Sequence, residues 1–546
     1  MRILRSILPK MALLFCLPAI AHDPRDLAGQ WIIQPPSPPG IVVLQTVTFS
    51  DEKGGALRGS AFDSSKEPDT SPVTEIHVSG DTVSFTAGDE KYSSLWRGRF
   101  DNANELRMTM FIVNSGETMP DHTATFRRSS LSQVAELKAR LPRNLIFDKL
   151  PLPQLRELPP NGLAKTPPMG WSSWNRFMES IDDKTVRETA EALVSSGLRD
   201  AGYSLVEVDD GWQGRRDKNG TLHSNVKFPD MKGLADYVHS KGLKFGIYTA
   251  MGPLSCGGYT GSYGYEVQDA QTFARWGVDF VMNDFCRTPY KNIAEHQALY
   301  QKMGEALRAT GRPIVYKVAS KAYVASALIG VDNSLEQSIE SENWGRKVGA
   351  NLWRTGIDLC VGDRWRAVSD RFERDGKRED AGPGGWNDAD NLVIGLEGVT
   401  PEYRSLTIEE SRTHMTLWVM LASPLILGND ARQLTDEVKG ILLNKEVIAV
   451  DQDSLGKQGR RVSREGDAEI WTKSLSEGSL AVALFNRGDV DSRIIVTWKT
   501  LGLEGTQRVR DLWRHADLGE RSSGYSALVP SHASVLLRLK VIDGGS

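Results

Sequence analysis

The feature that most constrains the fold is a repeated alternation of short apolar strand patterns with amphipathic helical patterns between Pro168 and about residue 450. Strand patterns at 203–208, 244–248 and 278–283 are separated by helical patterns near 231–241 and 266–276. Such repetition is typical of parallel strands joined by crossover helices, and about 250 residues is the usual length of a (β/α)8 barrel. A doubly wound open sheet is the alternative, but no G-x-G-x-x-G or Walker A sequence supports it. We therefore predict an α/β protein with a (β/α)8 (TIM) barrel over residues 166–453.

The segment before the barrel predicts a small all-β module over residues 22–130. Alternating stretches at 42–49 and 82–86 have the period of half-buried strands. The opening Gly29-Gln-Trp31 and the repeated short strands resemble a lipocalin-like barrel, and this module either binds glycan or serves as a spacer. Residues 131–165 then predict a connecting segment, with a helix over 131–141 and a proline-rich tract at 150–160 that cannot continue a helix.

Short alternating strands return after the barrel, at 479–486 and 533–539, and predict a C-terminal antiparallel β-sandwich over residues 454–546. A chain of 546 residues is long enough for several such domains. With 25% charged residues and a net charge of -4, the composition is that of an ordinary soluble protein and argues against a nucleic-acid partner. The composition leaves a homo-oligomer open.

The N-terminus predicts a secretory signal peptide over residues 1–21. Two arginines precede an apolar stretch from Met11, and small residues end it at Ala21. The stretch is shorter than the roughly 20 residues that cross a bilayer. We therefore expect an exported protein, periplasmic or extracellular, with no membrane segment after cleavage.

Three cysteines follow the predicted signal, namely Cys256, Cys286 and Cys360. An exported protein can oxidise one pair of them, and their spacing relative to one another and to histidine indicates no metal site. Accordingly, we predict no metal and no cofactor.

Carboxylates stand at the ends of four successive predicted barrel strands, where the chemistry of a TIM barrel is located. They are Asp209 with Asp210, Asp284, Asp358, and Asp388 with Asp390. A single acid at a strand end commonly caps a helix or forms an ion pair, but four clusters are harder to explain in that way. Two carboxylates across a glycosidic bond are sufficient for its hydrolysis, with retention or inversion decided by their separation. The sequence does not supply that separation, but the chain lacks the H-E-x-x-H and G-x-S-x-G motifs of other hydrolases, so glycoside hydrolysis is the chemistry that these acids favour.

Several long motifs in this region occur in the same order as in one known family. They are the segments 166–177, 209–212, 246–248, 256–279, 353–354, 382–388 and 422–430, followed by 510–519 near the C-terminus. On these motifs residues 166–540 resemble the glycoside hydrolases of family 27 (clan D), the α-galactosidases and α-N-acetylgalactosaminidases. The resemblance implies a retaining exo-glycosidase that removes terminal α-D-galactosyl residues from a carbohydrate substrate.

The resemblance also implies individual roles. Asp284 falls on the nucleophile of the family and Asp358 on its general acid/base. Residues expected to form the sugar site are Trp174, Asp209, Asp210, Tyr248, Arg354 and Asp390. Among them, Arg354 is expected to orient Asp358 or the 2-substituent, and Asp390 to lie at the rim or behind the residues that touch the sugar. Cys256 and Cys286 match a family disulfide, which leaves Cys360 free.

Two departures from the family pattern concern the choice of sugar. Family members usually carry Lys-Tyr or Lys-Phe before the nucleophile, where this chain has Met282 and Asn283, so the cation that holds the 3- and 4-hydroxyls is absent there. On the next strand, Ala319 and Ala322 occupy positions that separate the two family specificities. These departures keep open an α-N-acetylgalactosaminidase, an isomaltose-releasing α-1,6-glucosidic hydrolase, and a carbohydrate-binding protein without catalysis.

Overall fold

The computed structural model describes most of the chain. The described residues are 24–34, 45–51, 57–63, 70–88, 93–114, 117–134, 148–286, 288–290, 292–319, 344–356, 358–359, 364–374, 381–397 and 404–542. They form two compact units, one on the N-terminal side of residue 139 and one from residue 140 onward. The predicted signal peptide, Ala322 and Cys360 lie outside the described residues.

The N-terminal unit is a closed barrel of eight antiparallel strands in chain order. Its strands are β1 (Gly29–Gln34), β2 (Gln45–Asp51), β3 (Leu57–Asp63), β4 (Thr70–Ser79), β5 (Thr82–Gly88), β6 (Ser93–Asn102), β7 (Glu105–Asn114) and β8 (Glu117–Ser129). The pairing of β1 with β8 closes the ring. The predicted all-β module is therefore confirmed, and its topology is that of an up-and-down barrel.

Aromatic side chains fill the interior of this barrel. The ring of Phe85 lies at its centre, with centroids 5.3 Å from Phe49, 6.3 Å from Trp96 and 6.1 Å from Phe126. These residues point inward because side chains alternate between the two faces of a strand. Aromatic packing of this kind contributes much of the burial in a small core.

The second unit contains the predicted parallel barrel. Its strands are β9 (Met169–Ser172), β10 (Leu205–Val208), β11 (Gln213–Arg216), β12 (Leu222–Ser224), β13 (Lys244–Ala250), β14 (Phe280–Asp284), β15 (Val315–Ala319), β16 (Leu352–Arg354), β17 (Trp386–Asp388) and β18 (Leu425–Leu427). Strands β11 and β12 form a separate short hairpin. The eight parallel strands follow the order β17-β16-β15-β14-β13-β10-β9-β18. A parallel bridge between Leu392 and Leu427 joins the segment after β17 to β18 and completes the ring.

Helices follow the barrel strands, as the alternation predicts. Those in the described part of the second unit are α1 (Trp174–Phe177), α2 (Asp183–Ser195), α3 (Leu198–Ala201), α4 (Met231–Ser240), α5 (Glu266–Trp276), α6 (Ile293–Ala309), α7 (Arg364–Arg374), α8 (Ile408–Leu421), α9 (Asp436–Leu442), α10 (Lys445–Asp451) and α11 (Trp498–Leu501). The helices predicted near 231–241 and 266–276 are α4 and α5. Helix α6 begins with a capping box in which Asn292 and Glu295 each accept from the other's backbone N–H. Among the described residues, no helix has both the length and the apolar character needed to cross a membrane.

The proline-rich tract forms neither helix nor strand over 148–165, as predicted, and is attached to the barrel by hydrogen bonds. Leu150 N donates to Tyr263 Oη at 2.7 Å, and Arg156 N donates to Gln301 Oε1 at 2.8 Å. The helix predicted over 131–141 is described only at 131–134, where the chain is helical.

The C-terminal part of the chain is the predicted antiparallel β-sandwich. Its strands are β19 (Arg460–Glu465), β20 (Ala468–Ser474), β21 (Leu480–Asn486), β22 (Ser492–Thr497), β23 (Gln507–Asp511), β24 (Ala516–Arg521), β25 (Gly524–Val529) and β26 (Ser534–Val541). Six strands form one sheet, and β22 with β25 forms the other. Buried residues of both sheets, such as Val482 and Val496, share one apolar core. Thr413 of α8 donates to the His532 carbonyl at 2.8 Å and so connects the sandwich to the barrel.

Candidate active site

A pocket of about 430 Å³ opens at the carboxyl ends of the parallel strands. Its lining residues are Trp174, Asn175, Asp209, Asp210, Tyr248, Cys256, Met282, Asp284, Lys317, Arg354, Asp358, Asp390 and Asn391. The structure thus brings together both predicted catalytic acids and six of the eight residues predicted for the sugar site.

Asp284 ends strand β14 and is held by donors on both carboxylate oxygens. Tyr248 Oη donates to Oδ2 at 3.0 Å, and Phe285 N donates to Oδ1 at 2.8 Å. The side chain is 2% exposed, so these hydrogen bonds fix one orientation of the carboxylate at the pocket. Burial and the negative charge of Asp284 together raise the pKa of Tyr248 well above its usual value. Tyr248 therefore stays protonated and serves as a donor.

The predicted disulfide between Cys256 and Cys286 is present and confirmed. Its two sulfur atoms lie 3.6 Å and 3.4 Å from Asp284 Oδ2. Cys256 is also part of the pocket lining. The bridge therefore ties the loop after β13 to the second residue after Asp284.

Asp358 is linked to Arg354, four residues earlier. Arg354 donates to Asp358 Oδ1 from Nη1 at 3.0 Å and from Nη2 at 3.1 Å, and Nη2 also contacts Asp390 Oδ1. Burial alone would lower the pKa of Arg354, but the carboxylates of Asp390 and Asp358 outweigh it and raise the pKa. The guanidinium is thus a permanent positive charge between two acids.

Asp390 accepts hydrogen bonds that determine where Asp358 lies. Its Oδ2 accepts from Leu359 N at 2.6 Å, and its Oδ1 is the acceptor for Arg354. Asp390 has a φ of 94°, a left-handed conformation that is rare for a residue with a side chain. Backbone strain of this kind persists where surrounding contacts enforce it, commonly at functional sites. Asp390 lines the pocket, and its contacts are those of a residue that positions Arg354 and the backbone beside Asp358.

Asp209 and Asp210 follow strand β10 and line the same pocket. Asp209 Oδ1 accepts from Asp210 N at 2.7 Å, while Asp210 accepts from Gly211 N at 3.0 Å and from Gly257 N at 2.8 Å. Burial raises the pKa of Asp210 to about 7, although the hydrogen bond from Gly257 opposes the shift. Gly211 has a φ of 104°, which favours glycine in the turn that presents this pair.

Trp174 is the first residue of helix α1 and lies at the pocket beside Asn175. Asn175 Oδ1 accepts from Asn391 Nδ2 at 2.7 Å, which joins the loops after β9 and β17. The sequence reasoning assigned no role to either asparagine.

A buried charged cluster lies directly beneath these residues. Lys317 Nζ is 2.6 Å from Asp388 Oδ2, and the two side chains are 3% and 1% exposed. Burial alone would lower the pKa of Lys317, but Asp388 and Glu207 raise it. Glu207 of β10 is 1% exposed, and burial together with Asp209 raises its pKa well above the usual range.

Sequence reasoning assigned no function to Lys317, although one signal for it exists. Strand β15 reads Val-Tyr-Lys-Val-Ala, with a charge inside an otherwise apolar strand. A buried charge is costly unless it is paired, so such a residue in a barrel strand indicates a buried partner of opposite charge.

Ala319 does not line the pocket. It ends β15 in register with Asp284 and is fully buried in an apolar cluster with Tyr248 and Met282. Of the two positions expected to separate the family specificities, Ala319 is therefore not part of the pocket lining, and Ala322 lies outside the described residues.

The comparisons with known proteins agree with this geometry. The sequence profile of the family described as Alpha galactosidase A matches residues 166–453. The chain belongs to the alpha-galactosidase A family. A second profile, for the alpha galactosidase C-terminal beta sandwich domain, matches residues 465–539. The resemblance drawn from the motifs is confirmed.

Several members of the alpha-galactosidase A family are similar over most of their length. Alpha-galactosidase 3 of Arabidopsis thaliana is 42% identical over 382 residues, which cover 68% of this chain and 81% of that protein. Alpha-galactosidase A of Cellvibrio japonicus is 38% identical over 402 residues, covering 69% of this chain and 92% of the relative.

Solved structures show the same fold. Alpha-galactosidase I of Mortierella vinacea superposes with a TM-score of 0.63 at 33% identity, covering 71% of this chain and 100% of that chain. A putative alpha-galactosidase/melibiase of Bacteroides fragilis has a TM-score of 0.63 at 29% identity and covers 95% of this chain and 100% of its own. The predicted (β/α)8 barrel with its flanking β domains is thereby confirmed.

Proposed function

We propose that this protein is a retaining exo-glycosidase that hydrolyses terminal α-D-galactosyl residues of oligosaccharides or glycoconjugates. The observation that carries the proposal is one pocket lined by both Asp284 and Asp358 together with Asp209 and Asp210. It is supported by the family, since the relatives with which this chain shares about 40% identity are named alpha-galactosidases. A Saccharomyces cerevisiae member was solved with raffinose, an example of the carbohydrate class we propose as substrate.

In the proposed reaction Asp284 attacks the anomeric carbon while Asp358 protonates the departing glycosidic oxygen. A covalent galactosyl-Asp284 ester forms and the C1–O bond to the leaving group breaks. Asp358, now a carboxylate, removes a proton from water, which attacks the anomeric carbon and releases Asp284. Two inversions at the same carbon give net retention.

The contacts around the two acids suit these roles. The hydrogen bond from Tyr248 leaves Asp284 with one defined orientation toward the pocket. Arg354 keeps Asp358 in place through two hydrogen bonds and places a positive charge beside the reaction. In the same pocket, the buried oxygens of Asp209 and Asp210 are strong acceptors for sugar hydroxyls.

The direct test compares three aryl glycosides and one variant. We expect the protein to cleave the α-galactoside in preference to the α-N-acetylgalactosaminide and the α-glucoside. Asp284→Ala should lower turnover at least about 10⁴-fold, because the variant has no nucleophile. Asp236→Asn is the control, since Asp236 lies exposed on α4. NMR of the first sugar released should show the α-anomer.

Two results would contradict the proposal. A β-anomer as the first product would exclude double displacement, and full activity of Asp284→Ala would exclude the assigned nucleophile. Preference for the α-N-acetylgalactosaminide or the α-glucoside would mean that the protein is a glycoside hydrolase with a different sugar specificity. Binding of galactose with no turnover of any of the three glycosides would favour a carbohydrate-binding protein.

We further propose that the chain is exported, to the periplasm or outside the cell. The signal-like residues 1–21 support this, as does the Cys256–Cys286 bridge, because disulfides persist in oxidising compartments. The mass of the mature protein should correspond to a chain that begins at His22. A mature protein that retains Met1 would contradict export by this route.

A further inference from the structure

Lys317 is the one lysine among the described residues that line the pocket. It lies on β15, in register with Met282 of β14 and two residues before the strand ends at Ala319. A strand rises about 3.3 Å per residue, so the backbone of Lys317 lies about 6.6 Å below the strand end. Because the side chain is 3% exposed, it forms part of the pocket floor rather than the mouth.

The ammonium group has more donors than its protein contact uses. It carries three N–H donors, and within the part of the chain that the structure describes its close partner is the Asp388 carboxylate, at 2.6 Å. Buried donors without an acceptor are costly. A ligand that offers oxygen acceptors at the floor of the pocket would satisfy the remaining donors.

An exo-acting pocket determines which part of the sugar reaches its floor. The leaving group on carbon 1 must point to the mouth, and carbon 4 stands opposite carbon 1 in a six-membered ring. The 4-hydroxyl and the neighbouring 3-hydroxyl therefore point inward. A hydroxyl donates one hydrogen bond and accepts others, so it can donate to a carboxylate such as Asp210 and accept from an ammonium.

We infer that Lys317 binds the 3- and 4-hydroxyls of the terminal galactosyl residue and is a main determinant of sugar specificity. The inference rests on the proposed function of the pocket. Where family members usually carry a lysine, this chain has Met282, and Lys317 presents its cation at the same level of the barrel from the adjacent strand. Asp388 holds the ammonium in place, which makes it a positioning residue for Lys317.

The test removes one hydroxyl and one ammonium in combination. The full-length protein and Lys317→Met are assayed on an aryl α-galactoside and on its 3-deoxy, 4-deoxy and 6-deoxy analogues. For the unchanged protein, loss of the 3- or 4-hydroxyl should lower kcat/KM by a factor of about 10 to 100, as expected for hydrogen bonds to a charged group. In Lys317→Met, loss of the 3- or 4-hydroxyl should change kcat/KM by no more than about threefold, since the ammonium that binds these hydroxyls is already absent. The 6-deoxy factor should not change.

A second variant keeps a cation in the same layer of the barrel. Met282→Lys combined with Lys317→Met moves the ammonium to the adjacent strand at the paired position, so the net charge of the pocket floor is unchanged. We expect this double variant to be at least about tenfold more active on the parent glycoside than Lys317→Met, and to recover the 3- and 4-deoxy penalties. Lys302→Met is the control, because Lys302 pairs with Glu266 and does not line the pocket.

Two results would overturn the role of Lys317. The first is that loss of the 3- or 4-hydroxyl lowers kcat/KM by the same factor in Lys317→Met as in the unchanged protein. The second is that the double variant is no more active than Lys317→Met. Failure of the proposed function has a different signature, since the unchanged protein would then not cleave the parent α-galactoside at all.

Discussion

Asp269→Asn should destabilise the barrel strongly, because it breaks a buried ion pair. Arg216 Nη1 lies 2.6 Å from Asp269 Oδ1 and Nη2 lies 2.7 Å from Oδ2, with the two side chains 1% and 0% exposed. Arg216 also donates to the carbonyls of Gly220 and Gly261. Asparagine keeps the shape of aspartate but removes the charge and one of the two acceptors.

The magnitude follows from the burial of the cation that remains. Removing one partner of a buried pair costs about 3–5 kcal/mol, since the other charge stays in a low-dielectric interior. That is a large part of the 5–15 kcal/mol by which domains are typically stable. The same substitution in the pair of Lys232 with Asp236, whose side chains are 54% and 58% exposed, should cost only about 0.3–0.5 kcal/mol.

Urea unfolding followed by tryptophan fluorescence at pH 7 measures both values. Arg216→Met combined with Asp269→Leu should recover most of the loss, because replacing both charges by apolar side chains leaves no buried ion. Since Arg216 also holds the loop of Gly257, whose N–H donates to Asp210, KM of Asp269→Asn should rise. If Asp269→Asn lowers the free energy of unfolding by 1 kcal/mol or less, as Asp236→Asn is expected to do, the buried pair does not contribute as argued.

Two further predictions concern pH. Burial tends to raise the pKa of Glu410, but hydrogen bonds from Arg404 and His532 outweigh it and lower the pKa to about 2. The stability that this carboxylate contributes above about pH 4.5 is therefore lost as the pH falls to 2. Between these pH values the free energy of unfolding should fall by about 3 kcal/mol more in the unchanged protein than in Glu410→Gln. Burial raises the pKa of Asp210 to about 7, so the folded protein loses stability as the pH rises from about 4 to 7. Asp210→Asn should therefore be more stable than the unchanged protein by about 1–3 kcal/mol at pH 8, with the difference shrinking toward pH 4 in thermal unfolding, and a constant difference would contradict this assignment.

Much of the barrel could be predicted from the sequence, because its strands and helices depend on local patterns. The apolar run before Asp209 is strand β10, and the run before Asp284 is strand β14. The convergence of these acids follows from the rule that parallel strands bring their carboxyl ends to one edge. The disulfide of Cys256 with Cys286 could be expected from the family resemblance, not from spacing alone.

The charged cluster under the pocket could not be predicted, because it joins residues from strands far apart in the chain. Glu207, Lys317 and Asp388 belong to β10, β15 and β17, and no local pattern indicates which cation pairs with which acid. The resemblance implied that Asp390 lies at the rim of the sugar site or behind the residues that touch the sugar. Its contacts with Arg354 and Leu359 N could not be predicted, since they depend on a loop conformation with positive φ. The burial of Ala319 in apolar surroundings likewise depends on its neighbours.

The sequence by itself determined the two β regions, the α/β barrel between them, and the acids at the strand ends, because hydrophobic periodicity and turn residues act over a few positions. Only the tertiary structure decided which side chains share the pocket, which carboxylates keep a proton and which charges neutralise one another. Closure of the barrel places Lys317 beside Met282 and within 2.6 Å of Asp388. Such distances set burial and electrostatic energy, and neither quantity exists for a chain until it has folded.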